Sequence, residues 1–215
     1  MKQKNQKTLL AAICMLAAFT LWTMAVRCVD VRPIGPQGSA VGFASINRFV
    51  HGLTGVHLSL YTVTDVLSLI PLGVVMGFAL LGLSQWVRRK SLWKVDRSIL
   101  VLGGFYAAVM AIYLLFEVAV VNYRPVLING LLEASYPSST TMLVMCVMPT
   151  AAMQLHTRIE KRLLRQSVIF LIIAFTSFMV IGRLISGVHW FSDIIGGALL
   201  SAGLVLMYHA VNRCS

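Results

Sequence analysis

The sequence predicts an all-α, polytopic membrane protein, a single six-helix membrane domain over residues 1–215 with both termini cytoplasmic. Composition is the first ground: 58% of residues are hydrophobic, 12% are charged, and the mean hydropathy is +0.83. Such a chain suits lipid, where neither charges nor free backbone groups can be solvated. Arrangement is the second: the 18 Lys and Arg sit in short runs between long apolar stretches. The net charge of +11 is therefore read as anchoring against anionic headgroups, not as a nucleic-acid surface. A length of 215 residues corresponds to one domain.

Taken in order, Met1 to Lys7 is a basic tail, and Thr8 to Val26 is an uncharged apolar run. At about 1.5 Å per residue this run can cross a hydrocarbon core. It is long for a signal-peptide core, and Arg27-Cys28-Val29-Asp30 is no small-residue cleavage site, so it reads as the first membrane helix. Arg27 to Thr64 is the longest non-spanning segment, rich in Gly and Pro, with a short interfacial helix between Ala44 and Leu53 and surface histidines at 51 and 57. The second span runs from Asp65 to Val87, kinked at Pro71. A basic loop (Arg88 to Arg97) leads to the third span, Ser98 to Val121, and a polar connection, Asn122 to Tyr136, to the fourth, Pro137 to Gln154. After a second basic loop (Arg158 to Arg165) come the fifth span, Ser167 to Ile185, and the sixth, Trp190 to Val211. Gly197, Ala198, Ser201, Ala202 and Gly203 form a small-residue packing face on the last helix. Cys14, Cys28, Cys146 and Cys214 show neither disulfide nor metal spacing.

Six spans put both tails on one side, and all but five of the Lys and Arg fall there. The positive-inside rule makes that side cytoplasmic. Arg27, Arg32, Arg48, Arg124 and Arg183 then face outward. Trp22 and Trp190 fall at the outer interface and Trp86 at the inner one, as an aromatic belt would place them.

Three stretches gather polar groups at the outward ends of these spans. Gly182 to Asp193 places Arg183, His189 and Asp193 at a break between two apolar runs. His189 and Asp193 are four apart, so on a helix the carboxylate would accept from one imidazole nitrogen and leave the other as a base or nucleophile. Arg183 offers a planar fork suited to phosphate oxygens. Tyr123-Arg124-Pro125 supplies a second guanidinium. Pro137-Ser138-Ser139-Thr140 opens the fourth helix, with Pro137 at the first helical position and free N–H groups suited to an anion. Taken alone, Ser138 and Ser139 read as helix caps.

Together these residues resemble the three-part motif of the type 2 phosphatidic acid phosphatase superfamily, which contains lipid phosphate phosphatases and vanadium haloperoxidases. Arg124-Pro125 matches the first part and Pro137-Ser138 the second; Arg183, His189 and Asp193 match the third at full spacing, all within residues 117–193. The resemblance implies a multi-pass membrane phosphatase acting on a lipid phosphate or prenyl diphosphate at the outer leaflet, an undecaprenyl diphosphate-like carrier first among candidates. His189, held by Asp193, would form a phosphohistidine; Arg124, Arg183, Ser138 and the backbone near Ser139 would hold the phosphoryl oxygens. No metal or cofactor is implied. The haloperoxidase branch fits poorly, since it uses vanadate and a soluble domain.

This chain departs from the pattern at two charged positions. Glu117 stands where the first part has Lys, and Thr140 where the second has its proton-donating His. That acid step is worth roughly 10²–10⁴-fold. Either no acid is needed, because a diphosphate leaves as a stable anion, or Glu133, His51 or His57 supplies it. Glu117 is expected to pair with Arg124 or Arg183, since an intramembrane carboxylate is seldom left alone. The same departures support a rival reading: a catalytically impaired relative that binds or moves lipid phosphates, or a membrane scaffold. A transporter has neither repeats nor broken half-helices in its favour.

Overall fold

The computed structural model describes residues 2–213, and Cys214 lies outside the described residues. The fold is all-helical, with eight α-helices among the described residues: α1 (Lys2–Cys28), α2 (Ala44–Thr54), α3 (Leu58–Leu67), α4 (Leu69–Arg89), α5 (Arg97–Val118), α6 (Ser139–Arg158), α7 (Arg162–Ile185) and α8 (Phe191–Arg213). Five helical stretches are long and apolar enough to cross a membrane: 5–28, 58–89 (α3 with α4), α5, α7 and α8. They make the chain a multi-pass membrane protein.

The predicted fourth span, α6, has 20 residues but is rich in Thr and carries Gln154 and His156. It is not apolar enough to face lipid alone, and the bundle encloses it. Its neighbours are α4, α5, α7 and α8. Met142 and Cys146 on one face join Phe19, Val109, Tyr136 and Leu200; Val144 and Met148 on another join Ile172 and Met179. Its polar groups are satisfied internally, as a low-dielectric surrounding demands: Gln154 Nε2 donates to Tyr208 Oη at 2.5 Å and Thr150 Oγ1 to Cys146 O at 2.8 Å.

The small-residue face of α8 is real. Gly203 admits Leu16 of α1, and Gly197 lies against Ser138 O and Thr141 of α6. A Cβ would meet Leu16 Cδ2 at 2.7 Å from Gly203 and Ser138 O at 3.2 Å from Gly197, so these glycines allow α1 and α6 to approach α8 closely.

Several boundaries differ from the sequence reading. The second span starts at Leu58, not Asp65, and breaks at Ser68. Pro71 explains the break: it has no N–H for the carbonyl of Leu67, so the interruption falls one turn before it. Pro137 precedes the cap of α6 instead of opening the helix; Ser138 is the N-cap. Arg162 and Arg165 belong to the first turn of α7, not to a loop. Trp190 is no belt residue: it is 3% exposed and its Nε1 donates to Tyr123 O at 2.8 Å. The expected helix between Ala44 and Leu53 is present as α2. Its inner face carries buried Asn47, while Ile46, Phe49 and Leu53 are exposed.

Candidate active site

The α7–α8 turn is fixed from three sides. Gly187 has φ +69° and lies so close to the α2–α3 linker that a Cβ would sit 1.9 Å from Gly55 O; only glycine suits both demands. His57 N donates to Ser186 O at 3.0 Å, and His51 Nε2 to Gly187 O at 3.1 Å. Asn47 completes the clamp by capping α8. Its Oδ1 accepts from Ser192 N at 3.0 Å, and its Nδ2 donates to Gly42 O and Ser192 Oγ at 2.7 and 2.9 Å.

The connection from α5 to α6 is a short hairpin, not a plain loop. Arg124 N donates to Glu133 O at 3.0 Å and Ser135 N to Asn122 O at 2.9 Å. This register sets Arg124 beside Glu133 and delivers Asn122 and Ser135 together to α8.

At α8 they meet Asp193, which accepts four hydrogen bonds. Oδ2 receives Ser135 Oγ at 2.5 Å and Trp190 N at 3.0 Å; Oδ1 receives Asn122 Nδ2 at 3.1 Å and Ser192 Oγ at 3.4 Å. The expected direct bond from His189 is not formed. His189 precedes α8, so the four-residue helical relation does not apply, and its Nδ1 pairs with Ser135 Oγ at 3.0 Å. Its Nε2 is buried and has no partner among the described residues. Burial first, then the charges of Arg124 and Arg183, push the His189 pKa well below the usual imidazole value, so the ring is neutral with an available lone pair.

The two guanidiniums share a third element that the sequence reading passed over. Tyr61 of α3 lies under both, with its ring centre 4.8 Å from the Arg183 carbon and 5.8 Å from that of Arg124. Arg183 Nη2 donates to Thr140 Oγ1 at 2.6 Å and to Asp65 at 3.2 Å, and Nη1 to Thr64 Oγ1 at 3.3 Å. Arg124 Nε lies 3.1 Å from Glu133 Oε2 without the alignment of a hydrogen bond. Arg124 Nε and Nη1 and Arg183 Nε are buried and without hydrogen-bond partners among the described residues. Buried donors left open in this way suit an incoming anion.

Other predicted residues fall elsewhere. Glu117 is exposed and pairs with neither arginine; Glu133 and Asp65 take those places. His51 and His57 are spent on backbone carbonyls, His57 Nε2 donating to Thr54 O at 2.8 Å. Ser138 follows the plainer reading, its Oγ accepting from Thr141 N at 3.5 Å across the first turn of α6. A cavity of about 340 Å³ is lined at one end by Arg124, Arg183, Asp65, Ser139 and Thr140, and at the other by apolar residues including Leu72, Val75 and Met110. Ser138 and His189 are outside its lining. A second cavity of about 500 Å³ shares Val75 and Tyr106 with the first and continues between α4 and α5 past Phe78, Leu83 and Trp86.

Fold and site together define a multi-pass helical membrane protein with a buried, neutral histidine within electrostatic reach of two arginines. Residues 117–214 match the sequence model of the PAP2 superfamily. That stretch carries all three motif parts, and the match supports its likeness to the type 2 phosphatidic acid phosphatases. Its fold is similar to a crystal structure described as the first transmembrane PAP2 type phosphatidylglycerolphosphate phosphatase from Bacillus subtilis. The TM-score is 0.68 at 15% identity, covering 94% of this chain and 96% of that one. No curated protein matches the chain significantly.

Proposed function

We propose that the protein is a metal-independent phosphatase of lipid phosphates, acting on a prenyl diphosphate through a phosphohistidine at His189. The observation that carries this reading is the unpartnered Nε2 of a neutral, buried imidazole beside guanidiniums with unused donors. Arg124 and Arg183 bind the phosphoryl oxygens, with Ser139 at the helix start adding backbone N–H groups. Nε2 attacks phosphorus, and the P–O bond to the leaving group breaks with its electron pair on that oxygen. Water then attacks the phosphohistidine, the N–P pair returns to Nε2, and the water proton passes to Asp65, a carboxylate lining the cavity. Charge stabilisation by the arginines supplies most of the acceleration.

Leaving-group chemistry favours a diphosphate. Thr140 donates no proton near neutral pH and is occupied as an acceptor for Arg183, so an alkoxide leaving group would depart unassisted, whereas a lipid monophosphate departs as a stable anion. The apolar trough between α4 and α5, running on from the guanidinium end, supports a lipid-borne substrate. In this reading all six long helices of one domain cross the bilayer, α6 among them. The basic loops hold both tails in the cytoplasm and the site faces outward.

The test is phosphate release by purified protein from a prenyl diphosphate, phosphatidate and phosphatidylglycerol phosphate, with His189→Ala as control. Unchanged release in His189→Ala sinks the mechanism. The second reading, a lipid phosphate binder without turnover, draws on the losses at Glu117 and Thr140. Binding without release in wild type, His189→Ala and Thr140→His alike supports it. Activity only in Thr140→His marks decay from an enzyme.

A further inference from the structure

Nothing in the three motifs asks for a hydroxyl at residue 135, yet Ser135 stands between His189 and Asp193. An ionised carboxylate offers about four lone-pair sites, and Asp193 fills all four with Ser135, Trp190, Asn122 and Ser192. No site is left for His189. Ser135 has one proton, and the 2.5 Å contact commits it to Asp193 Oδ2. Its oxygen can then only accept from His189, so the imidazole hydrogen lies on Nδ1, 3.0 Å away. Nε2 is thereby left bare, as its lack of a partner requires. Ser135 is 2% exposed, so no bulk water competes for these bonds.

We infer that Ser135 is a positioning residue that sets the tautomer of His189, and that this chain works through a His189–Ser135–Asp193 relay in place of a direct His–Asp pair. When Nε2 takes up the phosphoryl group, the positive charge on the ring is met by the Asp193 carboxylate through the hydroxyl, with no proton leaving Nδ1. The catalytic consequence rests on the phosphatase reading; the tautomer does not.

The test uses full-length protein in bilayers with ¹⁵N-labelled histidine, the His189 signals being identified by their loss in His189→Gln. Wild type is expected to show the Nδ1–H tautomer, Ser135→Ala a mixture or Nε2–H, and Ser135→Thr, which keeps a hydroxyl, the wild-type pattern. In parallel, Ser135→Ala should lower kcat for a prenyl diphosphate roughly 10–100-fold, the scale lost when a group that orients a histidine is removed, with little change in KM and recovery in Ser135→Thr. An Nε2–H tautomer in wild type overturns the inference. So does an unchanged tautomer in Ser135→Ala, even with reduced turnover, because Ser135 would then serve packing alone. If wild type releases no phosphate from any lipid, the functional proposal fails, and the tautomer still decides the relay.

Discussion

Replacing Asp193 by Asn probes the site at its most constrained point. The carboxylate accepts two bonds on each oxygen, and Asn can reproduce only one oxygen. With the amide nitrogen in the Oδ1 place, it confronts Asn122 Nδ2, a donor, and only the Ser192 hydroxyl can turn to accept. With the nitrogen in the Oδ2 place, Trp190 N loses its acceptor outright, because a backbone N–H cannot rotate. Ser135 can turn to accept there, but its proton then points at His189 Nδ1 and moves the ring hydrogen to Nε2. Either arrangement forfeits one or two charge-assisted bonds in a buried setting, about 1.5–3 kcal/mol each. Asp193→Asn should therefore lower stability by about 2–5 kcal/mol. It should also cut kcat by at least the roughly 10–100-fold expected of Ser135→Ala, rising toward about 10⁴ if the amide holds the imidazole wholly in the wrong tautomer. Thermal unfolding in detergent reads the first quantity and single-turnover phosphate release the second. A variant within twofold of wild type in kcat and with an unchanged melting profile would refute the account of the carboxylate.

The pH dependence follows from burial of His189. Its folded pKa lies below the ordinary 6.5, so between the two values the unfolded chain binds the extra proton. The contribution of this group to stability is complete above about 6.5 and declines as the pH falls below it. The acid limb of kcat/KM in the free enzyme should likewise lie well under 6.5, and a limb at or above that value would contradict a desolvated imidazole. Asn47→Ala removes the cap of α8 and leaves Gly42 O and Ser192 Oγ short of a donor, so unfolding should become easier by about 1–3 kcal/mol, measured by thermal or denaturant unfolding. Gly187→Ala places a Cβ 1.9 Å from Gly55 O at a positive φ, so both the melting temperature and turnover should fall. Retention of both would mean that the turn is not pinned as described.

Much of this was legible in the sequence because lipid imposes long uncharged runs, and those mark the spans at 8–26, 98–121 and 167–185. The spacing of Arg183, His189 and Asp193 also carried the third motif without any structure. What stayed hidden depends on pairing between distant segments. Ser135 reaches His189 only because the hairpin register sets it opposite Asn122, across 54 residues from the histidine. Tyr61 and Asp65 lie in a stretch that hydropathy assigned to a loop and the edge of a span, and the break at Ser68 turns them toward residues more than 110 positions later. Glu117 was misplaced for the converse reason: it was expected to pair with a nearby arginine as an intramembrane carboxylate, but α5 ends at Val118 and the hairpin that follows carries Arg124 away. The apolarity of α6 was overestimated because a central helix sheltered by its neighbours can tolerate threonines that a lipid-facing helix cannot.

The aromatic ring beneath both arginines has a bearing on how two like charges are held together. Two neighbouring cations in a poorly screened recess repel one another, and Glu133 and Asp65, one carboxylate to each, offset only part of that repulsion. The electron-rich face of Tyr61 attracts each of them, at 4.8 and 5.8 Å, and so helps to keep the pair gathered. On the proposed reading, a phosphate would meet a receptor already set, with little of its binding energy spent on bringing like charges together.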